Sequence, residues 1–531
     1  MKTRREAPRR GSGTRGVARR RAGVPAIVWA VVALHGLLLV VLSVLFPTYR
    51  APDEIAHVDM VLVVGQSSGY PEVGERQISQ RVVESFAVVR HEPGGRAPPL
   101  HAGDAPRRDR RQTFAELGPD VASDVPQQMA AHPPLYYAAA ATALSAVTAL
   151  VPPAYDWSFD QVVGFLRLFS AALVLPLPLL AYLVADRLGA DRSAAVAAAV
   201  LPLGIPQLTH VGASVNNDTL LILLVAGLTL PALAVARGAT TARTALGAGV
   251  LGGLALLTKG FALFVPLWLA AVYLLAWWRG GGWRALSAGA LSVVVATAVG
   301  GWWWIRNVLT YGTVQPSGLA SPAPPEGFTP DVGYWLSFYL QRLSRRFWIE
   351  PNILPEWAPP VDLVASGAVV ALCAAAFIGY RRTAQRPADL AVVLGPLAGL
   401  GGIVTFGAWR VYARTGTPFA IHGRYLYGAV VGLAAVAALG AAALMPAQRR
   451  WLPLAALVTV LAVQATAAGL ALVTYWGPAG VWWRGAAVLA WSPWHPAIVA
   501  GAVAGAAAVA TWLVAAALGQ ARAQEGIPHS R

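Results

Sequence analysis

Apolar runs of roughly 18 to 22 residues recur along the chain, separated by short polar connections. As a helix rising 1.5 Å per residue, such a run crosses the roughly 30 Å hydrocarbon core of a bilayer. In lipid every backbone N–H and C=O must find a partner within the protein, so only helices and closed barrels span it. The runs lack the period-2 alternation of barrel strands, which leaves helices. The pattern predicts spans at about 25–46, 166–185, 194–215, 218–236, 243–258, 261–278, 285–304, 361–380, 388–408, 425–445, 452–473 and 496–518. The expected fold is an all-α polytopic bundle of about twelve transmembrane helices, with extracytoplasmic helices lying beside the membrane.

The polar positions orient the bundle. Residues 1–24 form a basic tail carrying Lys2, Arg4, Arg5, Arg9, Arg10, Arg15, Arg19, Arg20 and Arg21 against the single acid Glu6, which holds it in the cytoplasm. The run at 25–46 is too long for a signal-peptide core and lacks a small-x-small exit, so it reads as an uncleaved helix. Arg187 and Arg192, Arg237 and Arg243, Arg279 and Arg284, Arg381, Arg382 and Arg386, and Arg449 and Arg450 then all fall in cytoplasmic loops. Counting the apolar stretch 132–151 as a span would move every one of them outside, so that stretch is expected to lie on or dip into the outer surface. The resulting division is an outer loop at 47–165, helices two to seven at 166–304, a second outer loop at 305–360, helices eight to twelve at 361–518, and a cytoplasmic tail at 519–531. An amphipathic piece near 331–348 and a Trp-rich stretch at 474–495 add mass to the outer face.

Composition agrees. Of 531 residues 56% are hydrophobic and only 12% charged, about half the charge of a soluble chain. The formal charge of +16 would suggest nucleic acid in a soluble protein; here the basic residues follow the topology and no nucleic-acid motif accompanies them. The one cysteine, Cys373, sits in an apolar run and excludes an intrachain disulfide framework.

Candidate chemistry gathers on the predicted outer face. Tyr49-Arg50-Ala51-Pro52-Asp53-Glu54-Ile55-Ala56-His57 follows the first span. Pro52 suits the first position of a helix, which would set Asp53 and Glu54 in its first turn and His57 on the face of Asp53. Acids favoured by the helix dipole explain the same residues without any chemistry. Gln127-Gln128-Met129-Ala130-Ala131-His132-Pro133-Pro134-Leu135-Tyr136-Tyr137 marks the return to the membrane, where a tyrosine belt is ordinary and a histidine less so. Ser214-Val215-Asn216-Asn217-Asp218-Thr219 is a tight turn whose Asn and Asp also suit capping. Lys259, Arg306 and Arg424 are basic residues at the outer face, against the charge rule. Snorkelling explains any one of them, whereas convergence would make a phosphate site at headgroup level.

Taken in order, these motifs resemble the GT-C glycosyltransferases, multi-span enzymes that use lipid-linked sugar donors. The likeness covers about residues 25–430 and is nearest to a bacterial branch whose first loop reads Pro-Asp-Glu-x-x-His, related to lipid A aminoarabinose transferases and protein O-mannosyltransferases. It implies transfer of a sugar from a polyprenyl-phosphate carrier to an extracytoplasmic acceptor at a bacterial inner membrane, with both chain termini cytoplasmic and no nucleic-acid partner. Asp53 then corresponds to the acid proposed as general base, Glu54 is its neighbour in the catalytic motif, and Asp218 is the second acid. His57, His132, Tyr136, Asn217, Lys259, Arg306 and Arg424 become substrate-binding candidates. His132 stands before Pro-Pro where the aminoarabinose branch has Lys. The resemblance leaves open whether a divalent cation, Mg or Mn, bridges acids and phosphate. A transporter or flippase of lipid-linked saccharides is the alternative from another class; it predicts ionisable residues within the spans, and few are present.

Overall fold

The structure, a computed structural model, describes residues 23–525 apart from 67–68, 91–96, 151–155, 318–321, 350–359 and 383–385. The basic run ahead of residue 23 and the last six residues lie outside the described residues. The helices are α1 Ala26–Leu45, α2 Glu54–Gln66, α3 Gln80–Val88, α4 Phe114–Leu117, α5 Leu135–Leu150, α6 Phe159–Val174, α7 Leu177–Leu188, α8 Arg192–Val200, α9 Pro206–Gly212, α10 Asp218–Ala236, α11 Ala242–Leu256, α12 Val265–Ala276, α13 Gly282–Ala296, α14 Trp302–Tyr311, α15 Val332–Trp348, α16 Val361–Arg382, α17 Pro387–Thr415, α18 Val430–Leu444, α19 Leu452–Tyr475, α20 Val481–Trp491 and α21 Pro496–Ala523. The strands β1 (Gln77–Ser79) and β2 (Ala122–Pro126) pair antiparallel in the first long loop.

Among the described residues nine helical stretches are long and apolar enough to cross a membrane, and α8–α9 add a tenth as a pair bent by 70°. One stretch, Gly260–Tyr311, doubles back at Gly280, whose φ of 99° needs a residue without a side chain, and its legs α12 and α13 pack on each other. With both legs and the shorter α11 each taken as a pass, the bundle has the expected dozen. Leu267, Trp278 and Trp283, in or between the legs of the Gly260–Tyr311 stretch, lie exposed on the surface, as a lipid-facing bundle allows.

Three elements differ from the hydropathy pattern. The run 194–215 is not one straight span: Pro202 and Pro206 remove backbone donors and break it between α8 and α9. The pass expected to start at 166 begins at Phe159, so Arg167 is carried inside a helix. The pass expected to end at 304 continues through a π-helical turn into α14, so Arg306 is a helical residue rather than a loop residue. Between α11 and the π-helical turn after α13 the backbones touch: a Cβ on Gly300 would stand 1.9 Å from the Gly253 carbonyl oxygen. Small residues substitute here for the hydrophobic drive that lipid removes.

The inter-helix loops collect at two ends. At one, Arg237 and Arg279 meet Asp389, and Arg449 meets Asp191, joining the α7–α8, α10–α11, α12–α13, α16–α17 and α18–α19 connections. At the other, the turn before α10 meets the segment after α1 and the end of α11. Helix α10 links the two ends; its 19 residues span roughly 28 Å. At the second end a layer of α2–α5, β1 and β2 sits beside the bundle, with the apolar α5 packed on α2 and α6.

Candidate active site

The segment between α1 and α2 sets the site. Helix α2 opens at Glu54, two residues later than the spacing predicts, and Asp53 stands outside it with φ 61°. Tyr49 is also left-handed, with φ 64°. Side-chain-bearing residues rarely adopt this region, and such strain persists only where surroundings impose it. The strain turns the two adjacent carboxylates in opposite directions.

Glu54 points into the protein. Arg167 grips it bidentately, Nε to Oε1 at 2.8 Å and Nη2 to Oε2 at 2.6 Å, and the backbone N–H groups of Tyr49 and Val215 donate to it at 2.9 and 3.0 Å. Arg167 also donates to the carbonyls of Ser43, Phe46 and Pro47, which the end of α1 leaves without helical partners. Both oxygens of Glu54 are therefore occupied, and the pair ties α1, α2, α6 and the turn before α10 together. Arg167 escaped sequence reading because it looked like one more residue at a span end.

Asp53 points the other way. Its side chain keeps 36% of its surface open, accepts from Arg424 Nη2 at 2.9 Å on Oδ2, and accepts from Gln128 Nε2 at 3.2 Å on Oδ1. Burial opposes its ionisation, but the adjacent Arg424 guanidinium, helped by Lys259, holds the carboxyl below its usual range. Gln128 is placed from behind: its neighbour Gln127 donates to buried Asp59 at 2.6 Å, and Asp59 also accepts from the Ser79 backbone of β1 at 3.0 Å.

Arg424 reaches a second acid. Its Nε lies 3.7 Å from Asp218 Oδ2, while Lys259 Nζ lies 2.6 Å from Asp218 Oδ1. Asp218 is the first residue of α10, where the dipole favours an anion. Lys259 follows the end of α11 and sits 5.7 and 5.3 Å from the ring centres of Phe261 and Tyr425. The result is one chain of charges, Lys259–Asp218–Arg424–Asp53, built from four separate parts of the sequence. Gly423 lets Arg424 in: a Cβ there would stand 2.3 Å from the Phe347 backbone nitrogen at the end of α15. Asn217 donates to the Thr258 carbonyl at 3.4 Å, locking the α10 start to the segment bearing Lys259.

Around this chain stand uncharged imidazoles. His57 Nδ1 lies 3.0 Å from the Tyr137 hydroxyl, and burial, reinforced by Lys259, pushes its pKa down to about 3. His132 is partly exposed, but its Nδ1 is enclosed and has no hydrogen-bond partner among the described residues; burial, then Lys259 and His57, hold it below the usual range. His422 lies 3.3 Å from Arg346 Nη1 and is likewise held neutral by burial and Arg424. Arg346, in the last turn of α15, brings a third cation to this end; its signal in the sequence was a basic pair closing an amphipathic helix.

Two expected ligands are elsewhere. Tyr136 is fully buried with its hydroxyl 2.8 Å from Ser170, fastening α5 to α6, so it is Tyr137 that faces His57. Arg306 pairs with Glu72 at 2.7 and 2.9 Å, lies 5.2 Å from the Trp303 ring centre, and does not join the Asp53 chain. Glu72, which also takes the Tyr311 hydroxyl, lines an open cleft of about 500 Å³ with Tyr70, Glu75, Arg76 and Asp120. Tyr70 bounds it toward the site, donating to the His132 carbonyl at 2.7 Å.

The donor set does not suit a metal ion. Among the described residues no three His, Cys, Asp or Glu side chains cluster as ligands, and Asp53 and Asp218 already face Arg424 and Lys259, which stand where a bridging cation would.

Fold and site together define a polytopic all-α membrane protein with two acids and two cations interlocked at one mouth of its bundle. The chain belongs to the family described as "Predicted membrane protein (DUF2142)", whose model matches residues 37–433. No curated protein matches it. Among solved structures it is similar to ArnT from Cupriavidus metallidurans bound to undecaprenyl phosphate, at 14% identity over 94% of this chain and 78% of that one, with a TM-score of 0.44. The apo state of the same ArnT matches at 14% identity over 92% and 78%, with a TM-score of 0.45. The Archaeoglobus fulgidus oligosaccharyltransferase, in complex with Zn and sulfate, matches at 13% identity over 66% and 45%, with a TM-score of 0.36.

Proposed function

We propose that this protein is a membrane glycosyltransferase that moves a sugar from a polyprenyl-phosphate-linked donor to an acceptor on the extracytoplasmic face, with Asp53 as general base. The observation that carries the reading is the sharing of Arg424 between Asp53 and Asp218, with Lys259 completing the chain at the end of the bundle opposite the arginine-rich loops. By the charge rule those loops face the cytoplasm, which sets Asp53 at the outer headgroup level. A polyprenyl tail would stay in lipid and bring its phosphate to that height.

The chemistry needs two things. The acceptor hydroxyl must lose its proton as its oxygen bonds to the anomeric carbon, and the carbon–oxygen bond to the carrier phosphate must break with its electron pair on the phosphate. Asp53 is ionised, the more open of the two acids, and held in place by Gln128 and Arg424. Lys259 and Arg424 supply fixed positive charge for the leaving phosphate, with Arg346 nearby. Glu54 serves as an anchor that sets the strained turn presenting Asp53.

Purified wild-type protein and Asp53→Asn, in nanodiscs with radiolabelled polyprenyl-phosphate sugars and candidate envelope acceptors (a glycan, a lipid or a protein), give the test. Acceptor-dependent sugar release by wild type alone is the expected result. Full activity of a folded Asp53→Asn variant would remove Asp53 from the mechanism. Movement of lipid-linked saccharide across sealed vesicles, indifferent to Asp53→Asn, would assign the protein to transport instead.

A further inference from the structure

The arginine-rich end holds a cavity of its own, of about 410 Å³, lined by Arg187, Gly189, Arg237, Tyr380, Arg386 and Asp389. Its one carboxylate is already committed. Asp389 is buried, accepting from Arg237 Nε at 2.7 Å on one oxygen and from Arg279 Nη1 at 2.8 Å on the other. The same two arginines also satisfy carbonyls at helix ends, Arg237 on Arg187 and Arg279 on Ala236. Arg187 and Arg386 are different: neither pairs with a carboxylate among the described residues. Three arginines thus face the cavity against one neutralised aspartate.

Height matters as much as charge. The lining residues close α7, α10 and α16 and open α17, all membrane-crossing elements. Since α10 begins at Asp218 and ends at Ala236, beside Arg237, the cavity lies roughly 28 Å from the Asp53 chain, at the headgroup level of the opposite leaflet. The N-terminus of α17 opens at the cavity and adds the anion-favouring end of a helix dipole. Planar guanidinium forks around an open pocket match the oxygens of a phosphate group better than any neutral ligand.

We propose that this cavity binds a phosphate group, presented by an anionic phospholipid headgroup of the leaflet opposite the Asp53 site. Basic pockets between helix ends at this level suit such headgroups, each cation near the surface adding to the attraction. The site is independent of the proposed transfer reaction: it shares no residue with it.

The test uses the full-length protein in nanodiscs of phosphatidylcholine alone or mixed with phosphatidylglycerol, with retained lipid counted by native mass spectrometry after extraction. Wild type is expected to retain phosphatidylglycerol about tenfold over phosphatidylcholine, and Arg187→Gln/Arg386→Gln to lose that preference. Arg386→Gln alone, at an exposed position, is expected to lose part of it and guards against misfolding of the double variant. A folded double variant with undiminished preference would overturn the proposal. Inorganic phosphate separates the two sources of the group: no displacement of lipid at millimolar concentration supports the headgroup, whereas equal binding of free phosphate in phosphatidylcholine nanodiscs would overturn it.

Discussion

At one end of the bundle Asp389 sits between Arg237 and Arg279; at the other Asp53 and Asp218 share Arg424, with Lys259 beyond. Each is a set of acids among cations, and each joins several loops. They differ in what is left over. Asp389 is 3% exposed, starts an ordinary helical turn and has both oxygens bound by arginines. Asp53 is 36% exposed, sits at a left-handed backbone angle and relies on one shared cation. A cluster of opposite charges is therefore poor evidence of chemistry by itself. Accessibility and imposed strain distinguish the end that can meet a reacting group from the end that fastens helices.

The sharpest way to break this contrast is a pair of isosteric substitutions. Asp53→Asn is expected to lower sugar transfer about 10²- to 10⁴-fold with unchanged thermal unfolding, the range for loss of a general base. Asp389→Asn is expected to do the reverse, lowering the unfolding temperature in detergent with little change in turnover per folded molecule. Equal losses of turnover would erase the distinction. Next in size, Glu54→Gln leaves Arg167 buried without its counter-charge, at a cost of about 3–5 kcal/mol. Denaturation in mild detergent should show that loss, and a stable but inactive Glu54→Gln would instead make Glu54 a second catalytic acid.

A smaller effect is expected for Arg424→Lys. Lysine keeps the charge but cannot reach two carboxylates with separate nitrogens, so transfer should fall about 10- to 100-fold, the loss of one charge-assisted bond. An unchanged rate would show that sharing between the acids is incidental.

The smallest effect is the dependence on pH. Asp53 must be ionised to act and is held below its ordinary 3.8, so rate should be flat from pH 5 to 8 and fall only in stronger acid. Folded His57 stays neutral down to about 3, whereas the unfolded ring protonates near 6.5. Unfolded protein thus takes up the proton first, so the stability linked to His57 is complete above about 6.5 and is lost as pH falls toward 3. A rate profile with a step near pH 6.5 would point to a titrating histidine in the site.

Much of the architecture was legible because lipid imposes simple rules. Span length, loop charge and the positions of Asp53, Asp218, Lys259 and Arg424 all follow from runs and motifs along the chain. The places where the reading slipped have a common cause. Pro202 and Pro206 broke one pass because a missing donor matters more than hydropathy. Tyr136 and Tyr137 are adjacent, and only packing on α6 decided which faces His57. Arg306 joined the candidates through its side of the membrane, yet Glu72, 234 residues away, holds it apart from the Asp53 chain.

The sequence by itself determined a polytopic helical membrane protein and the residues able to carry charge at each end, because burial of backbone in lipid and the placement of arginines are properties of local composition. Only the tertiary structure decided that Glu54 turns inward to Arg167 while its neighbour Asp53 turns outward to an arginine 371 residues away. The physical reason is that adjacent carboxylates are chemically alike until distant elements supply their partners. A left-handed residue between α1 and α2, gripped from both sides, is what separates an anchor from an accessible acid.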